Sequence, residues 1–244
     1  MVADLNSGAI FLQKNSQQQL PIASLTKLIT AVVVAENIDL RKSIFVEEEM
    51  LSGYGSTKGL EAGKSFKVVE LFYPLLIESS NDAAEVLSYF LGPQRTIKLM
   101  NEKAKAILME KTNFIDASGF SPQNVSTAED LFILARYILN NRPPLLEISR
   151  GKEVESYGKV SFSELENKNL FHKEPNFIGG KTGYILASKY TGLFIFRFVI
   201  EGGIERKIAI ILLGSKNLEA GEENLKNDVK GILDWLKENY FKTD

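Results

Sequence analysis

The sequence contains no cysteine, which excludes disulfides and thiolate-held metals but leaves the redox compartment open. It has a single histidine, His172, so a Ser-His-Asp triad or a histidine-based zinc site would have to be built around that one residue. A serine hydrolase of this composition is therefore expected to use another base. Excess positive charge is also missing: 29 Lys and Arg stand against 31 Asp and Glu, a net charge of -2. With no clustered basic run, nucleic acid has nothing to bind to electrostatically. No apolar stretch approaches the roughly 18 residues of a membrane-spanning helix. The first twenty residues carry Asp4, Asn6, Lys14 and a Gln run where a signal peptide would have an apolar segment. Because the chain opens almost at once on the strand-like Val2-Ala3-Asp4-Leu5, Met1 is expected to begin a shortened form of the natural protein.

What is present suits one large globular core, with 244 residues of which 44 % are apolar and 25 % charged. Residues 2–6 and 9–13 are short apolar-rich runs split by Ser7-Gly8, the pattern of a β-hairpin. From Ser24 to Glu36, Leu25, Leu28, Ile29, Val32 and Val33 recur at helical spacing while Ala31, Val34 and Ala35 fill the opposite face, which predicts a buried helix. Helices are expected over 68–77, 82–91 and 94–111, and another from a Ser126-x-x-Glu129 capping box to about Asn140, stopped by Pro143-Pro144. Strand character returns at 177–186, 192–200 and 207–213, the last two joined by Gly202-Gly203. An amphipathic helix over 218–241 closes the chain. The expected architecture is α/β, with a mixed, mainly antiparallel sheet formed from both chain ends beside an all-helical lobe. It reads as a single domain, residues 1–50 and 150–244 forming the sheet lobe and about 51–149 the helical one.

Ser24-Leu25-Thr26-Lys27 places a hydroxyl and an amine on one face of the buried helix, within one turn. A serine hydroxyl is a weak nucleophile until a base takes its proton, and lysine serves once burial or a neighbouring cation makes it neutral. The tetrapeptide alone equally describes a helix-capping serine followed by a solvated lysine. Two further motifs weigh against that: Ser79-Ser80-Asn81 at a junction between expected helices, and Lys181-Thr182-Gly183 on an expected strand. Each has an ordinary reading too, as helix-end capping or a turn. The last is not a phosphate loop, because Pro175 stands where Gly-x-x-x-x-Gly-Lys-Thr needs glycine.

Ser-x-x-Lys, Ser-x-Asn and Lys-Thr-Gly in that order form the motif set of class A β-lactamases and penicillin-binding proteins. With the flanks Pro21-Ile22-Ala23, Asp82-Ala83-Ala84, residues 124–131 and Gly179-Gly180, the chain resembles the D-alanyl-D-alanine carboxypeptidase family of low-molecular-mass penicillin-binding proteins. The resemblance runs from Val2 to the last helix and implies the serine β-lactamase and DD-peptidase fold. It implies that Ser24 attacks the carbonyl of the penultimate D-alanine of a peptidoglycan stem peptide while Lys27 takes its proton. Ser79 would relay a proton to the leaving amine, and Asn81 would hold the substrate amide. Lys181 and Thr182 would bind the terminal carboxylate, Gly183 would keep the strand clear, and the backbone N–H groups of Ser24 and Tyr184 would form the oxyanion hole. No metal or organic cofactor is required, and β-lactam antibiotics are expected to acylate the same serine.

Two rivals differ in class. A β-lactamase would need a glutamate to activate water, and Glu164 and Glu166 precede the third motif; but residues 166–170 look more like the Asn-x-Asn-x-Leu stretch of the carboxypeptidases. A sensor or wall-binding module would have no chemical need for three intact motifs. An endopeptidase acting on cross-links would use the same residues. Peptidoglycan as substrate implies an extracytoplasmic site, periplasmic or on the outer face of the membrane. Export would use an N-terminal segment not in this chain, and membrane contact only segments absent from it. His172 belongs to none of the motifs and is expected at the surface or between the lobes.

Overall fold

The structure is a computed structural model that describes residues 1–51, 54–55, 57–158, 160–162, 164–215 and 221–241. In chain order the elements are β1 (Val2–Asp4), β2 (Ile10–Leu12), β3 (Leu20–Pro21), α1 (Thr26–Asn37), β4 (Ser43–Phe45), β5 (Ser65–Lys67), α2 (Asn81–Leu91) and α3 (Pro93–Ala106). They continue with β6 (Val125–Ser126), α4 (Ala128–Asn141), α5 (Pro143–Ser149), β7 (Phe177–Ile185), β8 (Lys189–Ile200), β9 (Ile204–Ser215) and α6 (Gly221–Asn239). The main sheet has the order β2-β1-β9-β8-β7, so both chain ends build it, and every neighbouring pair is antiparallel. β3 pairs with β6, and β4 with β5.

Period-two alternation sorts the sheet's side chains onto two faces. Ala3, Leu193, Ile195, Ala209 and Ile211 point into a core shared with α1 to α5. Phe194, Phe196, Ile208 and Ile210 point the other way, onto Phe171, Phe177 and the Leu225-Val229-Leu233-Leu236 stripe of α6. With both faces covered, β8 reads as an unbroken apolar run from Leu193 to Phe196. α1 lies inside the larger core, buried continuously from Thr26 to Val34, as its all-round apolar pattern requires.

The opening hairpin, the central helices and the late strands occur where the pattern places them, with local differences. Residues 68–78 are helical throughout but irregular: Val68–Leu71 is a 3-10 turn, Phe72 and Tyr73 are α-helical, and Pro74–Glu78 is a wide π turn closed by the Ser79 N–H bonding to the Pro74 carbonyl. The proline lacks the N–H that would continue a regular helix through it. The capping box at Ser126 does not form. Thr127 caps α4 instead, accepting from Asp130 N at 3.1 Å, while Ser126 is held in β6 and its hydroxyl bonds Thr112 at 2.7 Å. Strand pairing of Ser126 thus moves the cap by one residue. Pro143 ends α4 as expected but also opens α5, where its missing N–H costs nothing. The expected start of the last helix, Leu218, lies outside the described residues.

Candidate active site

Four chain segments meet at one point: the turn before α1, the N-terminus of α2, the loop of residues 116–121, and β7. Ser24 lies in a 3-10 turn, Ala23–Leu25, that leads directly into α1. Ala23 before it has φ +46, a left-handed conformation unusual for a residue with a Cβ and held by its surroundings. Gly119 supplies part of that hold: a Cβ there would lie 1.9 Å from the Ala23 carbonyl oxygen, so only bare backbone passes.

One helical turn after Ser24, the fully buried Lys27 points its Nζ at three acceptors. These are Ser24 Oγ at 3.0 Å, Asn81 Oδ1 at 2.7 Å and the Ser118 carbonyl at 2.7 Å. Burial pulls the Lys27 pKa down from 10.5 to about 7, against the opposing pull of the Asp116 and Glu85 charges. At neutral pH a large share of the amine is therefore uncharged, with two N–H bonds and one lone pair. Asn81 Oδ1 and the Ser118 carbonyl can only accept, so they take the two N–H groups and leave the lone pair facing the Ser24 hydroxyl. That arrangement can remove the serine proton.

Asn81 comes to Lys27 because the wide turn at 74–78 ends in left-handed Ser79, at φ +66, after which Ser80 caps α2 by accepting from Ala83 N at 3.1 Å. Asn81 is then the first residue of α2. Ser79 itself is half-buried and makes no side-chain hydrogen bond among the described residues, so its hydroxyl is not engaged with Lys27 or Ser24 here.

β7 runs beside the serine: a Cβ on Gly183 would sit 2.8 Å from Ser24 N and 3.1 Å from Ala23 Cβ. Thr191, opposite Gly183 on β8, ties the two together, its hydroxyl within 3.3 Å of the Ile22 carbonyl and 3.2 Å of the Gly183 carbonyl. Lys181 is fully buried and donates to the Thr182 carbonyl at 2.7 Å; Thr182 donates to the Lys168 carbonyl at 3.0 Å. Burial, then the nearby Lys27 charge, hold the Lys181 pKa well below its ordinary value. Repulsion between the two lysines thus weighs on Lys181, whereas burial accounts for Lys27. Tyr184 is exposed and packs on Tyr190, with ring centres 4.5 Å apart.

Beyond Asn81 a cavity of about 160 Å³ is lined by Tyr54, Glu85, Asp116, Ser118, Phe120 and Ser121 as well as Asn81. The Tyr54 and Phe120 rings stack at 5.0 Å, an exposed aromatic pair at its mouth. Loop 116–121 is the part of the site that sequence reasoning missed. Its signal was Asp116-Ala117-Ser118-Gly119, a run of turn-forming residues that does not by itself announce a backbone carbonyl as a partner for lysine. His172 stands apart, its Nδ1 2.7 Å from the Asn169 carbonyl. Arg206 pairs with Asp4 at 3.2 Å on the opposite flank of the sheet. The loop 53–63 that leads into the second motif is described only in part, since Gly53 and Ser56 lie outside the described residues.

The family model described as D-alanyl-D-alanine carboxypeptidase matches residues 1–210. A D-alanyl-D-alanine carboxypeptidase of Mycobacterium tuberculosis is 30 % identical over 78 % of this chain and 67 % of its own length. A D-alanyl-D-alanine endopeptidase of Escherichia coli is 35 % identical over 87 % of this chain and 69 % of its own. Among solved structures, penicillin-binding protein D2 of Listeria monocytogenes in its ampicillin-bound form superposes with a TM-score of 0.76 at 28 % identity, covering 94 % of this chain and 93 % of that one. The chain spans between half and about two thirds of the length of the curated relatives it matches.

Proposed function

This chain belongs to the D-alanyl-D-alanine carboxypeptidase family, and from that premise we propose that it is a serine-type D-Ala-D-Ala carboxypeptidase acting on peptidoglycan stem peptides through an acyl-enzyme. The observation that carries the reading is the buried Lys27 amine, its Nζ 3.0 Å from Ser24 Oγ and its other two partners, Asn81 Oδ1 and the Ser118 carbonyl, able only to accept. Ser24 attacks the carbonyl of the penultimate D-alanine, and Lys27 accepts the hydroxyl proton. The N–H groups of Ser24 and Tyr184 stabilise the oxyanion, which the close approach of β7 at Gly183 supports. Lys181 and Thr182 receive the terminal carboxylate, Asn81 holds the substrate amide, and Ser79, whose hydroxyl has no partner among the described residues, passes the proton to the leaving D-alanine. Water then cleaves the ester. The whole described chain acts as one catalytic domain, its sheet and helical lobes meeting at Ser24.

The same residues would cleave a D-alanyl cross-link, and the 35 % identical relative named as an endopeptidase favours keeping that second reading. Release of free D-alanine from a pentapeptide, measured beside cleavage of a cross-linked dimer, separates the two. A β-lactamase reading has less support: Glu166 is exposed and paired with Lys168, while Asn167 and Asn169 are anchored to the Ser149 carbonyl. β-Lactams should therefore acylate Ser24 and leave slowly. A cell-wall substrate places the enzyme outside the cytoplasm, and no described helix is long and apolar enough to cross a membrane.

Intact mass spectrometry after incubation with penicillin tests the assignment. Wild type should gain one penicilloyl mass and Ser24→Ala none; labelling that persists in the mutant would sink it.

A further inference from the structure

The half-buried carboxylate of Asp116 has no place in the steps above, yet it is the most heavily bonded side chain near the site. Its Oδ1 accepts from the backbone N–H groups of Ser118 at 2.9 Å, Gly119, and Phe120 at 3.3 Å. Oδ1 also receives the Ser118 hydroxyl at 3.1 Å and Asn124 Nδ2 at 3.3 Å. Its Oδ2 accepts from Ser121 N at 2.8 Å. Bonds from N–H groups to an ionised carboxylate are among the stronger ones a protein makes, and this many of them pin the loop from 116 to 121 in one shape.

That shape has two consequences at the reacting atoms. It directs the Ser118 carbonyl at Lys27 Nζ, 2.7 Å away. It also lays Gly119 against the Ala23 carbonyl, beneath the turn that carries Ser24. We propose that Asp116 is a positioning residue for acyl transfer, holding the Ser118 carbonyl where it takes one N–H of Lys27 and so turns the amine lone pair toward Ser24. This rests on the reading of Ser24 and Lys27 given above. Without that carbonyl the amine has only Asn81 Oδ1 as an outside acceptor, and its second N–H competes with the lone pair for the serine oxygen.

The carboxylate is also an anion beside a titrating lysine. The charged groups facing Lys27 are Asp116 from the loop, Glu85 from α2, and Lys181 from β7, with Asp82 acting on Glu85. Asp116 and Glu85 both favour the protonated amine, so loss of either charge should release the proton at lower pH.

The test is the rate of acylation by a fluorescent penicillin across pH 5 to 10, on the full chain, for wild type, Asp116→Asn, Asp116→Ala and Glu85→Gln, with a melting curve for each. Wild-type rates should rise through about pH 7. Asp116→Asn should shift that midpoint down by roughly half to one unit. Asp116→Ala should shift it likewise and lower the high-pH plateau by about tenfold or more, as expected when a reacting group loses its aim. Glu85→Gln, which removes charge without touching the loop, should shift the midpoint and keep the plateau. A wild-type plateau in Asp116→Ala would overturn the proposal, as would a lowered plateau in both Asp116 variants with the midpoint unmoved. Failure of both Asp116 variants to fold would also overturn it, by making the carboxylate a requirement of the fold instead. An unlabelled wild type would overturn the acyl-transfer reading itself, an outcome recognisable before any variant is compared.

Discussion

Lys27 is surrounded by neutral acceptors and has no carboxylate in hydrogen-bond contact among the described residues, and this is costly for an ammonium group taken out of water. The cost is the source of its reactivity. In the unfolded chain it keeps its proton up to its ordinary pKa of 10.5, and in the fold only to about 7. Between those values the unfolded state binds more protons, so stability rises with pH across the window and the full penalty remains below it. Lys181, shifted in the same direction, adds to the trend. Two outcomes follow for Lys27→Met. Penicillin labelling should be lost, while the melting temperature at pH 6 should rise, by roughly 2–4 °C for each kcal/mol relieved. A mutant that melts lower than wild type at that pH would show that the buried amine is not strained.

At the level of elements, the reactive edge of β7 is only as well placed as the sheet behind it. Phe194 is fully buried on the α6 side of β8, edge-on to Phe171 at 5.2 Å, and Gly192 leaves room for its ring: a Cβ at Gly192 would stand 2.3 Å from it. Phe194→Ala should cost about 3–5 kcal/mol, as a drop in the denaturant midpoint at unchanged slope. These strands were readable because a sheet covered on both faces leaves an apolar run between turn residues. The segment 68–77 is helical as read, but its mixture of 3-10, α and wide turns was not legible, because apolar content does not distinguish regular from irregular turns. The cap at Thr127 was displaced for a related reason: Ser126 pairs with Leu20, more than a hundred residues earlier in the chain.

On the scale of the whole molecule, the site is a contact between parts remote in sequence. Gly119 against Ala23 is the tightest of these contacts, and its φ of +83 already disfavours a side chain. Gly119→Ala therefore has to move either the loop or the nucleophile turn. A loss of roughly 1–3 kcal/mol in stability is expected, together with at least a tenfold fall in acylation rate. Unchanged acylation in a folded Gly119→Ala protein would show that Ser24 does not depend on this packing.

The amino-acid sequence by itself determined the nucleophile and base candidates, the antiparallel character of the late strands, the exclusion of thiolate chemistry and the restriction of histidine chemistry to one residue, because these depend on residue type and short-range spacing. Tertiary structure alone decided that Asn81 Oδ1 and the Ser118 carbonyl share the Lys27 amine and that burial brings it near neutrality. Those are properties of distance and solvent exclusion between segments 54 and 91 residues apart, and nothing in a local pattern records where a backbone carbonyl will point.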